Sequence, residues 1–105
     1  MLSLDLKKPL LHVDGTTLKN ETGKELEIAF ELANVLAVSR SGNPIKIWGW
    51  ATTLASSGVI QLDDADIDEL KRVIEQSDTT ALFKGQVLRE ITLAVQRRDS
   101  KPAAA

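Results

Sequence analysis

The sequence contains no cysteine and no tyrosine, and it has one histidine, two tryptophans and two phenylalanines. Without cysteine, disulfides, zinc–thiolate sites and thiol nucleophiles are excluded. The single histidine, His12, falls in a predicted strand beside Asp14, whose carboxylate is claimed by a turn; it reads as a surface or packing residue rather than as a base. A G-x-S-x-G elbow and a phosphate-cradling glycine loop are both missing. No catalytic residue, cofactor or metal site is therefore expected. No apolar run approaches the roughly 18–20 residues of a spanning helix, and "MLSLDLKKPL" lacks the basic region, long apolar run and cleavage site of a signal peptide. The expected location is cytoplasmic, with no membrane partner.

An excess of charge of either sign is missing too. The net charge is −2, which argues against a general nucleic-acid binder with a basic face. Lys7 and Lys8 near the start, and Arg97, Arg98 and Lys101 near the end, cluster only on the flanks, where bases keep termini solvated.

What is present fits one small globular domain: 105 residues, 43% hydrophobic and 27% charged. Residues 1–98 are expected to form a single α+β domain and 99–105 a mobile tail, with no internal repeat. In "LLHVDGTTL", Asp14-Gly15 is a type I′ hairpin signal that sets Val13 opposite Thr16 and Leu11 opposite Leu18. "LSLDL" before it is a further strand or a flexible lead, and "VIQL", 59–62, is a short strand able to pair with this ribbon.

Four helices are predicted. In "ELEIAFELANVLAVS" the helical period starts at Ile28, with Ile28, Leu32, Val35 and Ser39 on one stripe and Phe30, Ala33 and Ala37 on another, so that this helix is expected to be central. The second opens with Asn43 as cap and Pro44 at the first helical position, and stops at Gly58. Within it Trp48 and Trp50 lie about 200° apart around the axis and cannot share a face. Either the helix is sandwiched, with one ring toward the hairpin and one toward a neighbouring helix, or one ring anchors a partner. Helices over 64–76 and 79–96 follow, with Ile67, Leu70 and Ile74 inward in the first, and Phe83, Val87, Ile91 and Ala94, flanked by Leu88 and Val95, in the second. Gly85 inside the last helix suggests close packing against another helix.

The stretch "LDDADIDELKRVIEQ" places Asp64, Asp66, Asp68 and Glu75 at positions 1, 3, 5 and 12 of an EF-hand loop. Position 6, however, is Glu69 where the turn needs glycine, and Ile67, Leu70 and Ile74 require continuous helix. Asp63 and Asp66 instead read as a capping pair, and the following acids complement the helix dipole.

The last two helices, joined by "SDTT", could form a helix-turn-helix with Lys84, Gln86 and Arg89 facing DNA. The acids opening the preceding helix would then approach the phosphates, so a solvated face is the expectation for Lys84 and Arg89.

In overall order, "LKKPLLHVDGTTLKNETGKELEIAFELANVLA", the helix "KIWGWATTL" and the closing "IQLDDADIDELKRVIE" and "ALFKGQVL" resemble small, mostly uncharacterised tailed-phage and prophage proteins. The resemblance rests on Asp14-Gly15, on the Trp48/Trp50 helix and on Lys84-Gly85-Gln86. It implies phage or prophage origin, a location in the host cell or on the virion, and a non-enzymatic accessory role through contact with a phage structural protein or a host protein. The candidate partner-binding residues are Trp48, Trp50, Lys84, Gln86 and Arg89, and the two apolar stripes of the first helix, more than one small domain readily covers, allow self-association into a homo-oligomer. Alternatives are a DNA-binding regulator and an inhibitor of a host protein. The expected architecture is an N-terminal β-hairpin plus one short strand packed on about four α-helices.

Overall fold

Four helices and a two-stranded antiparallel sheet make up the α+β fold in the computed structural model, which describes residues 2–39 and 42–100. In chain order the elements are β1 (Leu2–Asp5), α1 (Ile28–Ala37), α2 (Pro44–Ser56), β2 (Val59–Leu62), α3 (Asp64–Gln76) and α4 (Ala81–Ser100). The "LSLDL" lead is thus a strand. "VIQL" pairs with it rather than with the ribbon around Asp14-Gly15, in the register Leu2↔Leu62, Ser3↔Gln61, Leu4↔Ile60 and Asp5↔Val59. Period-2 alternation turns Leu2, Leu4, Ile60 and Leu62 into the core, while Ser3 and Gln61 meet on the outer face through a 3.0 Å hydrogen bond. Leu6 extends the ladder by donating its N–H to the Gly58 carbonyl at 2.9 Å, and its side chain is fully buried.

The expected type I′ hairpin is not formed. That turn needs positive φ at both central residues, and among the described residues only glycines have positive φ, Gly15 at 91°. The chain makes a three-residue loop instead: His12 donates to Thr16 at 2.7 Å, and Gly15 donates back to His12 at 3.0 Å. The extra loop residue moves the register by one, from Leu11 opposite Leu18 to Leu11 opposite Thr17. A one-residue slip exchanges the two faces of a strand. Leu10 is accordingly buried, Leu18 packs partly buried against the core, and Leu11 and Val13 face outward.

The same geometry recurs eight residues on, so this part of the chain does carry an internal repeat. Asn20 donates to Lys24 at 2.8 Å and Gly23 donates back to Asn20 at 3.0 Å, with Gly23 at φ 83°. Bridges Leu11↔Thr17 and Lys19↔Glu25 are followed by Pro9↔Glu27, which closes the third arm back onto the first. At the centre three leucines form a closed ring of backbone bonds. Leu10 donates to Leu26 at 2.7 Å, Leu26 to Leu18 at 2.9 Å, and Leu18 to Leu10 at 2.8 Å. The third arm runs directly into α1, where Ile28 donates to Lys8 and Ala29 to Leu6.

α1 begins without a side-chain cap at Glu27, and those two backbone bonds to the N-terminal segment stand in for one. Its buried stripe is Ile28, Ala29, Leu32, Ala33 and Leu36. This cuts across both expected stripes: Val35 is only partly buried, and Phe30 and Ala37 are exposed, so one face is core and the other is not. α1 packs chiefly on α2, and α4 lies against β1, α3 and α1.

α3 occupies the predicted span, and Asp63 accepts from the Asp66 N–H at 2.7 Å while Asp66 accepts from the Asp63 N–H at 3.3 Å, a reciprocal capping box. The segment offered as a calcium loop is therefore continuous helix. In α4, Phe83, Val87, Ile91 and Ala94 are buried as the period predicts. Gly85 is not a packing contact: a Cβ added there would meet nothing within 4 Å. The helix runs on to Ser100, past the predicted boundary at 98, and 101–105 of the predicted tail lie outside the described residues.

Candidate functional site

α2 is fixed at both ends by local chemistry. Asn43 Oδ1 accepts from the N–H groups of Ile45 at 3.0 Å and Lys46 at 3.3 Å, Pro44 opens the helix, and the Glu69 carboxylate accepts the Asn43 N–H at 2.7 Å. At the other end Gly58, at φ 76°, donates to the Leu54 carbonyl at 3.0 Å. Held so, the helix buries Ile47, Trp50, Ala51 and Leu54. The opposite stripe holds Ile45, Trp48, Thr52 and Ser56, all exposed.

The two indoles thus have different fates, and the helix is not sandwiched. Trp50 is 8% exposed and belongs to the core, whereas Trp48 is 64% exposed and Ile45, one turn before it, 83%. Trp48 borders a groove of about 460 Å³ whose described lining is Leu36, Ala37, Ser39, Gly42, Pro44, Ile47 and Trp48. Among the described lining residues none has a titratable side chain. On the other side of the α1 terminus, Val35, Val38 and Val73 line a second groove with Gln76, Ser77, Asp78 and Thr79, and Val38 is itself exposed.

An ion pair lies at the α2 side of α3: Lys46 Nζ stands 2.7 Å from Asp66 Oδ1. The bond from Lys46 is the main reason that the Asp66 carboxyl ionises below its ordinary range, with the bonds to Asp63 adding to it; the same bond raises the Lys46 pKa. Asp66 therefore serves as cap partner and as counter-ion together.

The other candidates sit apart from Trp48. Gln86 accepts from the Leu11 N–H at 2.9 Å and donates to the Leu11 carbonyl at 2.5 Å, reproducing with one side-chain amide the pair of bonds that a neighbouring strand would make. Lys84 donates to the Glu75 carbonyl at 3.1 Å, tying α4 to the end of α3. Arg89 is exposed and, with Gln86, lines a groove between the first loop and α4 that also includes His12, Val13 and Glu90. Asp14, near His12, is held below its ordinary pKa first by the Thr16 hydroxyl and then by the Thr16 N–H.

Ile45, Ala37 and Pro44 were not among the contact candidates named from sequence. The available signal was the spacing of Ile45 and Trp48, i and i+3, continued by Thr52 and Ser56. Among the described residues, no three His, Asp or Glu side chains converge as a metal site, and no helix is long and apolar enough to cross a membrane. Compared with known proteins, the chain matches no family model, no curated protein and no solved structure.

Proposed function

We propose that this chain works by contact with another protein rather than by chemistry, as an accessory protein of phage or prophage origin with a role in assembly. The observation that carries the reading is the outward face of α2, where Trp48 and Ile45 stand 64% and 83% exposed, Trp48 bordering a groove. Tryptophan is the residue most often found at the energetic centre of an interface, because a large rigid ring desolvates much area with little loss of side-chain freedom. Its twin two positions on, Trp50, is fully used by the core. Trp48, by contrast, is mostly outside the core, and contact is a use that matches its chemistry.

The test is affinity capture from cells in which the protein is made naturally, with the wild-type chain and Trp48→Glu in parallel. The expected result is a partner retained by wild type and lost by Trp48→Glu, with both chains melting at the same temperature. A partner held equally by both would remove α2 from the reading, and turnover of a substrate by the purified chain would remove the reading itself.

A further inference from the structure

We infer that the groove between the first loop and α4 binds a small organic carboxylate, an apolar body that carries a single negative charge. The site is separate from the outward face of α2 and does not rest on the contact reading.

At about 480 Å³ the groove falls within the roughly 300–1,000 Å³ usual for small-molecule sites. Pro9, Leu11, Ile28 and Leu82 give it apolar walls. Of the polar side chains in its described lining, three already have partners. Gln86 commits both halves of its amide to the Leu11 backbone, at 2.9 Å and 2.5 Å, and Lys8 and Glu90 are paired with each other at 2.6 Å. His12 and Arg89 are left over. Among the described residues neither side chain makes a hydrogen bond or an ion pair. Asp14, two residues from His12, is held by the Thr16 hydroxyl at 2.7 Å and the Thr16 N–H at 3.0 Å, with His12 a lesser electrostatic influence on it.

The two left-over groups select an anion. Arg89 offers a planar fork of N–H donors that suits a carboxylate or a phosphate, and a neutral imidazole at His12 offers one N–H more. Glu90 decides between the two anions. With His12 neutral, the described lining holds two bases, Lys8 and Arg89, against the one acid, a net charge of +1. One carboxylate on Arg89 repeats the pairing of Glu90 with Lys8 and brings the groove to neutrality. A dianionic phosphate would leave it negative, with like charge facing Glu90. The apolar walls then ask for a hydrocarbon body behind the carboxylate.

Amide NMR titration of the full chain with hexanoate reads the site directly. Saturable shifts are expected at Leu11, Val13, Gly15 and Leu82, with a Kd of about 1–10 mM for an exposed groove and a ligand of this size. Arg89→Gln should weaken binding about fivefold, the upper range for an exposed ion pair, and His12→Ala by a smaller factor. Arg72→Gln, which removes an exposed base of α3 outside the groove lining, should leave binding unchanged. Hexanol, with the chain but no charge, and inorganic phosphate, with charge but no chain, should each bind more weakly than hexanoate. Unaltered melting temperatures establish that the variants fold. The site is overturned by an absence of saturable shifts up to about 30 mM, several times the expected Kd, by wild-type affinity in Arg89→Gln or His12→Ala, or by hexanol or phosphate binding as tightly as hexanoate.

Discussion

The pair α1–α2 and the pair α3–α4 are held in place by different physics. α1 carries one charge, Glu31, and α2 one, Lys46, whereas α3 carries Asp64, Asp66, Asp68, Glu69, Lys71, Arg72 and Glu75, and α4 carries Lys84, Arg89, Glu90, Arg97, Arg98 and Asp99. The second pair is secured by charge as well as by burial: the Asp63–Asp66 box, the Lys46–Asp66 pair at 2.7 Å, Lys8–Glu90 at 2.6 Å and Arg98–Asp64 at 2.9 Å. Exposed pairs of this kind contribute little each, so their chief effect is to keep the outer surface hydrated. The first pair carries fewer charges, although Lys46 of α2 makes one of these ion pairs, and its buried stripes do the folding. Within α2 the residues that fold and the residues that face outward are therefore distinct sets, Ile47, Trp50, Ala51 and Leu54 against Ile45, Trp48, Thr52 and Ser56.

The sharpest way to break this contrast is within one helix. Trp50→Ala should cost about 3–5 kcal/mol, as expected for a large aromatic removed from a packed core, while Trp48→Ala should stay within about 0.5 kcal/mol. Denaturant midpoints measure both, and equal losses would mean that the outer ring is structural after all.

Next in size is the cap of α3. Asp63→Ala should cost about 1 kcal/mol, with unfolding of α3 visible by amide exchange. The neighbouring pair adds a pH signature. Asp66 ionises below its ordinary range in the folded chain, so its contribution is complete above the unfolded value of about 3.9 and is lost as the pH falls through the lower folded value. Lys46, with its pKa raised, contributes fully below the unfolded value of about 10.4 and loses that contribution as the pH rises through the folded one. Asp66→Asn should flatten both limbs of a stability–pH curve; limbs identical to wild type would show that the pair is incidental.

A smaller change of opposite sign is expected on the charged side. Gly85→Ala should stabilise α4 by about 0.5–1 kcal/mol, because an added Cβ meets nothing within 4 Å; a loss measured by thermal melting would mean that an undetected neighbour crowds that turn. Smallest of all, millimolar calcium should leave the melting temperature unchanged, since the carboxylates of Asp63 and Asp66 are already committed to backbone amides; a rise of several degrees would show that they can be recruited to an ion.

The elements that could be read from sequence are those specified by neighbours in the chain. Asn43-Pro44 and Gly58 bound α2, Asp63 opens α3, and the stripe of Phe83, Val87, Ile91 and Ala94 orients α4, because caps and helical periods act over a few residues. β1 pairing with β2 was not specified this way, since Leu2 meets Leu62 across most of the chain. The orientation of α2 hung on a near tie. Ile45 and Trp48 on one side mirror Ile47 and Trp50 on the other, and only Ala51 and Leu54, against Thr52 and Ser56, decide it. The repeat that places Leu10, Leu18 and Leu26 was missed for a different reason: a spacing of eight matches neither the strand nor the helix period, and only the recurrence of Gly15 and Gly23 at the same offset marks it. Gln86 was named from sequence as a candidate for partner binding, but its bond to the Leu11 backbone was not foreseen, because nothing local tells that an amide will bond there.

The leucine ring has an evolutionary consequence. Its three bonds join main-chain atoms, so the loop tips at 13–15 and 21–23 lie outside the closure that holds the arms together. Identity at those tips can drift at positions other than Gly15 and Gly23, whose φ of 91° and 83° favours glycine, while the triangle beneath stays shut. Such a platform allows a lineage to rewrite what its loops display without redesigning the scaffold that displays them.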